Sequence, residues 1–481
     1  MDTGATNKPL RSIVGLHVRT WSTLMAAKAG KLALKRRYER AASIAPFYTG
    51  GPLTVSRDGS RLACKCAGEV KLLDAATGAI VATIAADAED ITALALSPNG
   101  QELVTAGRDM MVKTWDVQTQ KKIRSWKSGH GNSFVQQLAY DETGTLVAGG
   151  CSDAMVRVWD AGRGFATHSL SGHNALITSL AFGPTPRSDP NKLILYSGAD
   201  DGEVRVWALA SKTCKGVLKG HDSAVTTLAL HHETQTLVTG GRDRVVGVWD
   251  LDTMCIVNSL PIYDVIEGLA IMEAAAAAAN DDAALEKVKK RKKGKGVQGG
   301  AAEQQARGNM QRADLEVVTA GANGQLKRWL VGSGKCVVSE PERAGTVGYM
   351  ALLHAVARPD VAQEALLVAV TIERTLLFFH ANTLEIQKQM VGYNDEVVDV
   401  AFASTEPAIL AVCTNSDHLR LFDTTTQSCR LLYGHTVRPL SLSFYYLSPS
   451  PAPPPPCCVL AAIHVCRARW RRNIGIKNTL S

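Results

Sequence analysis

Along most of this chain apolar and polar positions alternate in short runs, and turn residues separate one run from the next. ITALAL (91–96), AVTTLAL (224–230) and TLVTGG (236–241) have the period of two that puts successive side chains on opposite faces of a β-strand. Clusters such as SPNG (97–100) mark the turns.

The pattern repeats with a period near 42 residues. Trp115, Trp159, Trp207 and Trp249 are spaced by 44, 48 and 42 residues and close the runs VKTWD, VRVWD, VRVWA and VGVWD. Leu73 in VKLLD takes the same place upstream; Trp329 in LKRWL, Phe379 in LLFFH and Phe422 in LRLFD take it downstream. Asp109, Asp153, Asp201, Asp243 and Asn323 each precede the mark by six residues, and Thr105, Ser197, Thr239 and Thr319 come four residues earlier still. Gly-His pairs end at His130, His173, His221 and His435.

Four short strands per repeat, with Gly-His and Trp-Asp marks in phase, resemble WD40 propeller blades over residues 51–433. The expected fold is all-β. No blade can bury both faces alone, so blades pack radially. Seven units, within 44–390, are enough for one ring; the eighth, 391–436, reads as the first blade of an unfinished second propeller, with an eight-bladed ring as the alternative.

Three segments fall outside the pattern. Residues 1–43 carry nine Lys/Arg against two acids and read as a disordered basic extension, with an organelle transit peptide as the alternative. The sixth unit is stretched by an insertion at 273–312 that has almost no large apolar residues and is expected to be disordered. Lys287, Lys289, Lys290, Arg291, Lys292, Lys293 and Lys295 within it suit a nuclear import signal, contact with RNA phosphates, or a solvated loop. The Pro-, Cys- and Arg-rich segment 437–481 keeps no repeat marks and resembles an alternative end of a longer protein.

Composition adds little beyond charge. The net charge of +8 is concentrated in the extension and the insertion, pointing to acidic partners. No apolar run nears the roughly 20 residues of a membrane helix. Eleven cysteines contain no CxxC pair, which favours a reducing compartment. Cys214, Cys255, Cys336 and Cys429 recur six or seven residues after the mark and are expected as small core residues.

His221, Thr239, Asp243 and Trp249 contain the ingredients of a nucleophilic triad. His173, Ser197, Asp201 and Trp207 repeat the set one unit earlier, and His130, Asp153 and Trp159 repeat it again with Gly149 in the hydroxyl's place. A catalytic site has no reason to recur at blade period; a buried polar network does. These residues are expected to be structural tetrads, and no catalytic, cofactor or metal site is expected. His231 and His232 are adjacent, on opposite strand faces, with no Cys nearby. No phosphate-binding glycine loop is present, and the aromatics mostly occupy blade positions, leaving no evident stacking platform for RNA.

IAPFYTGG (44–51), DITALALSPNG (90–100), LEIQKQMVGYNDEVVDVAF (384–402) and CRLLYGHT (429–436) narrow the class. Over roughly residues 35–436 the chain resembles the transducin beta-like-three family of WD40 proteins. The resemblance implies a nucleolar, non-catalytic scaffold of the small-subunit processome in early rRNA maturation. It implies other WD40 proteins of the UTP-B subcomplex, U-three snoRNA and pre-rRNA as partners, no cofactor and no membrane. It also implies a second propeller and a helical assembly domain, neither of which is expected from the residues of this sequence. A WD40 interaction adaptor, such as a ubiquitin-ligase substrate receptor, is the alternative.

Overall fold

The computed structural model describes residues 47–273, less 76, 87–89, 130–132 and 184–192, and beyond them 315–340, 348–355, 366–391, 397–403, 409–414, 418–423, 429–432, 442–445 and 460–463. The chain divides into two compact units at Pro46/Phe47, and the described residues all belong to the second. The N-terminal extension, the basic run, His130 and His435 lie outside the described residues.

Every regular element described is a strand, and eight four-stranded antiparallel sheets follow one another, each built from four consecutive strands. Their first strands are Leu53–Val55, Ile91–Leu96, Val135–Tyr140, Ile177–Phe182, Val225–His231, Ile266–Glu273, Tyr349–Ala355 and Val397–Ala403. Short turns keep consecutive strands adjacent: the Asp58, Asn99 and Asp141 carboxylate or amide oxygens accept the N–H groups two or more residues on that a tight turn would leave unpaired.

The mark residue has one place in all eight sheets. It lies on the third strand, opposite the second residue of the second strand or its equivalent: Leu62↔Leu73, Leu103↔Trp115, Val147↔Trp159, Leu195↔Trp207, Leu237↔Trp249, Val317↔Trp329, Leu367↔Phe379 and Leu410↔Phe422. In the first seven sheets the ladder to the fourth strand shifts register immediately before that residue. The bulge bends the outer strand around a large side chain.

Period-two alternation explains how the sheets pack. Ala63, Val70 and Leu72 of the first sheet share a core with Ile91, Leu103 and Trp115 of the second, while Leu62, Cys64 and Leu73, on the other face, share one with Val368, Val370 and Phe378 of the seventh. Analogous cores join each sheet to the next through the seventh. The first strands of these seven sheets are likewise neighbours in turn, and that of the seventh lies beside that of the first. Both faces of such a sheet are buried, so its middle strands read as nearly continuous apolar runs. Among the described residues the eighth sheet shares a small core with Val391, and its first strand leaves Val397, Val398, Val400 and Phe402 exposed.

The segment before the first strand packs between the first and seventh sheets. Phe47 and Tyr48 are buried in their shared core, and the Tyr48 hydroxyl donates to the Gly51 carbonyl at 2.9 Å. Gly50 holds φ +93° with Arg374 of the seventh sheet against its α-carbon, so a side chain there would meet both strain and a clash.

Two expectations change. Cys214, Cys255 and Cys336 are exposed, and only Cys429 of that set is buried. They begin fourth strands, whose outer edge faces solvent, so recurrence there marks a rim position rather than a core one. The terminal segment contains one antiparallel pair, Leu442–Tyr445 with Leu460–Ile463, where no pattern was expected.

Candidate functional site

The polar residues that repeat in phase come together at one end of the sheets, where the turn between second and third strands meets the segment entering the same sheet's first strand. In the fourth sheet the Trp207 indole N–H donates to Ser197 Oγ at 2.8 Å. The Ser197 hydroxyl donates to His173 Nε2 at 2.7 Å, and His173 Nδ1–H donates to Asp201 at 3.0 Å. In the fifth sheet the same chain runs Trp249 to Thr239 (3.0 Å), Thr239 to His221 (2.6 Å) and His221 to Asp243 (2.7 Å). The geometry thus brings together all eight residues expected as tetrads.

Each aspartate also closes its own turn. Asp201 accepts the backbone N–H groups of Asn174 and Glu203 at 3.0 Å, and Asp243 accepts those of Asp222 and Val245 at 3.2 Å. Burial opposes ionisation of Asp201, but these amides and His173 outweigh it and hold the carboxyl below the usual carboxylate range. Burial pushes the His173 imidazole below its ordinary value, against the pull of Asp201. The neutral Nδ1–H tautomer is the one this network uses.

Chemically the chain lacks what a triad needs. Ser197 and Thr239 are 0 % exposed, and each hydroxyl already receives an indole N–H. A nucleophile without surface has no path to a substrate.

The other sheets hold variants of the network. Thr105 receives the Trp115 indole N–H at 3.0 Å, but Asp109 pairs with Lys113 at 2.7 Å. Asp153 is bound by both terminal nitrogens of Arg157, at 3.1 and 2.6 Å. Thr319 receives the Trp329 N–H at 3.1 Å, and Asp264 reaches back to the Asn323 N–H at 3.3 Å. In the second and third sheets a cation on the third strand is thus a partner of the aspartate. The signal was present in sequence as Lys113 and Arg157, four residues after the aspartates.

A second repeated interaction carried no recognised mark. The second residue of each first strand from the second sheet onward is a bulge: Thr92, Gln136, Thr178, Thr226, Glu267, Met350 and Val398. Thr92 donates to the Val135 carbonyl of the next sheet at 2.6 Å, and Thr178 and Thr226 reach Val225 and Ile266 in the same way. In sequence these threonines look like ordinary β-branched strand residues.

Near the same end, Arg108 stacks over the Phe134 ring at 5.7 Å and faces Asp90, which also pairs with Lys65. Glu267 sits close to Arg242, and burial raises its carboxyl. His231 bonds Thr234 at 2.9 Å, while His232 approaches Glu142 at 3.9 Å. Among the described residues no group of three His, Cys, Asp or Glu side chains is placed to hold a metal ion, and no helix is long and apolar enough to cross a membrane.

Sheets of four sequential strands, Trp-centred and pinned by Asp–His–Ser/Thr networks, define the propeller-repeat class. The WD domain, G-beta repeat model matches residues 78–116, 120–160, 164–208 and 212–250, and the chain contains WD40 repeats. Within that class it is similar to transducin beta-like protein 3: 34 % identical to the Bos taurus protein over 421 residues, covering 87 % of this chain and 48 % of that protein, and 32 % identical to the Homo sapiens protein over 87 % of this chain and 47 % of that one. It is also 36 % identical over 154 residues to U3 small nucleolar RNA-associated protein 13 of Saccharomyces cerevisiae, covering 31 % of this chain and 18 % of that protein. The chain spans about half the length of the transducin beta-like relatives it matches.

Proposed function

We propose that this protein is a non-catalytic WD40 scaffold in ribosome biogenesis, acting in the nucleolus on small-subunit pre-rRNA with the U-three snoRNP. The observation that carries this reading is the joint similarity to transducin beta-like protein 3 across 87 % of the chain and to a protein named for U3 small nucleolar RNA. Its partners on this reading are WD40 proteins of the UTP-B subcomplex, together with U-three snoRNA and pre-rRNA. The buried tetrads serve as structural pins, and function lies in the surfaces the sheets display.

The reading includes an architecture: residues 44–390 act as a closed seven-bladed ring and 391–436 as an added blade. Seven cores, each shared by two sheets and the last linking seventh to first, support it.

The test is affinity purification of the tagged full chain from cells, with sequencing of bound RNA and identification of bound proteins. Enrichment of U-three snoRNA and nucleolar WD40 proteins is expected. Recovery of ubiquitin-ligase subunits with no snoRNA would replace the scaffold with the adaptor.

A further inference from the structure

The fourth strands form the outer edges of the sheets, and their charge is unequal. Those of the first, third, fifth and sixth sheets, Ile80–Ile84, Ala166–Leu170, Cys255–Pro261 and Cys336–Ser339, contain no Lys or Arg. Lys122–Lys127 of the second sheet contains Lys122, Arg124 and Lys127, with Lys121 just before it, and all four side chains are exposed. The turn of the third sheet adds exposed Arg163, and the outer edge of the fourth adds exposed Lys212 and Lys215.

These cations form one continuous rim. Arg124 donates to the Arg163 carbonyl at 3.0 Å, joining second and third sheets. His168 bonds the Leu209 carbonyl at 2.8 Å, joining third and fourth; burial disfavours its protonation and nearby Lys212 adds to that. Elsewhere in the molecule Arg57 pairs with Glu142, Lys113 with Asp109, Arg157 with Asp153 and Lys219 with Glu203, while the exposed cations without an ion pair among the described residues, Arg242, Arg244, Lys335 and Arg430, are scattered over three other sheets. Among the described residues, Lys121, Lys122, Arg124, Lys127, Arg163, Lys212 and Lys215 form no ion pair. The nearby carboxylates are engaged otherwise, Asp116 capping Gln118 and Asp160 capping Arg163.

Lysines on an edge strand also deter sheet-to-sheet association. That purpose would apply equally to the fifth and sixth sheets, whose edges have none. An exposed aromatic ring accompanies these cations: Phe165 is 48 % exposed beside Arg163, whereas the exposed Tyr263 follows a fourth strand that contains no Lys or Arg. Unpaired cations around an exposed ring match the requirements of single-stranded nucleic acid, whose phosphates take the charge and whose bases stack. An acidic peptide would use the charge and leave the ring without a role.

We infer that the outer rim of the second to fourth sheets binds single-stranded RNA, with Lys121, Lys122, Arg124, Lys127, Arg163, Lys212 and Lys215 on phosphates and Phe165 stacked on a base. This deepens the pre-rRNA reading above and rests on it for the identity of the RNA. Recognition is sequence-tolerant, because phosphates and base faces are common to all sequences.

The test is binding of a fluorescent single-stranded RNA of about 12 nucleotides to the full chain, over a series of salt concentrations. The basic run is neutralised in parallel samples (Lys287, Lys289, Lys290, Arg291, Lys292, Lys293 and Lys295 to Gln), so that the rim is read alone. Replacing Lys121, Lys122, Arg124 and Lys127 by Gln is expected to weaken binding at least tenfold and to flatten the log–log salt slope by about 0.7 for each phosphate left without its cation. Phe165→Ala is expected to weaken binding about tenfold with the slope unchanged. Lys335→Gln with Arg430→Gln, exposed but outside the rim, is the control and should bind as the parent does. Thermal melts exclude misfolding. Equal affinity and slope in parent and rim variant would overturn the inference, as would rim-dependent capture of a polyglutamate peptide unaffected by Phe165→Ala. U-three snoRNA recovered from cells equally well by parent and rim variant would sink the rim and leave the scaffold standing. A rim-dependent RNA complex without snoRNA in cells would do the reverse.

Discussion

Asp243 is the residue on which most of the fifth-sheet network converges, taking the His221 imidazole and two backbone amides. Asp243→Ala leaves the buried His221 Nδ1–H unpaired, and should cost about 1–3 kcal/mol in chemical denaturation, with no reaction lost. His173 makes the fourth sheet pH-dependent. Its pKa is depressed on folding, so the unfolded chain protonates first as pH falls. The contribution is complete above the ordinary value of 6.5 and is lost as pH falls below it. Asp201, with its carboxyl held below 3.8, adds a second loss at still lower pH. Melting temperature against pH should therefore fall below about 6.5, and His173→Gln should flatten that limb; an unchanged profile would contradict the assignment. Gly149 stands where the other networks have a hydroxyl, yet a β-carbon there would lie 2.5 Å from the Trp159 ring. Gly149→Ser should thus destabilise by about 1–3 kcal/mol through overpacking instead of restoring a pin, as measured by denaturation.

At the scale of the element, the mark residues were legible because one position in every third strand must fill the same space. The bulge beside each mark was not, since an extra residue in a ladder leaves no compositional trace. The bulged threonines 92, 178 and 226 were missed for a related reason: their hydroxyls bond carbonyls of another sheet, which spacing within one repeat cannot reveal. The exposed rim cysteines were misplaced because recurrence in phase identifies a position and says nothing about which side of it is covered. The Phe47–Gly51 segment shows the same limit. Its residues are distinctive in sequence, but their role as a wedge depends on a sheet more than 300 residues downstream. Tyr48→Ala should cost about 3–5 kcal/mol and should release hydrogen-exchange protection first in Arg61–Cys66 and Leu366–Thr371, the strands either side of the seam. Uniform loss over all sheets would argue against a local seam.

At the scale of the whole molecule, the first and seventh sheets are each built from contiguous chain, so their junction has no strand shared between the ends of the repeat array. Side-chain packing and Lys388, which reaches Gly78 and feels Asp74, hold it instead. Sheets that share a core with each neighbour suit a platform, and the proposed scaffold role asks only for surfaces and delivery to the right compartment. Deletion of 286–295 should disperse a nucleolar signal of the tagged chain; unchanged localisation by microscopy would reject an import role for the basic run.

The repeat, the strand content and the tetrad residues follow from the sequence alone, because each depends on local periodicity copied every 42 residues or so. Which sheets share a core, which carbonyl a bulged threonine meets, and which cations remain unpaired on the rim depend on residues distant in sequence. Only folding brings those neighbours together. Burial and charge pairing are properties of the neighbourhood, so the tertiary structure alone decided them.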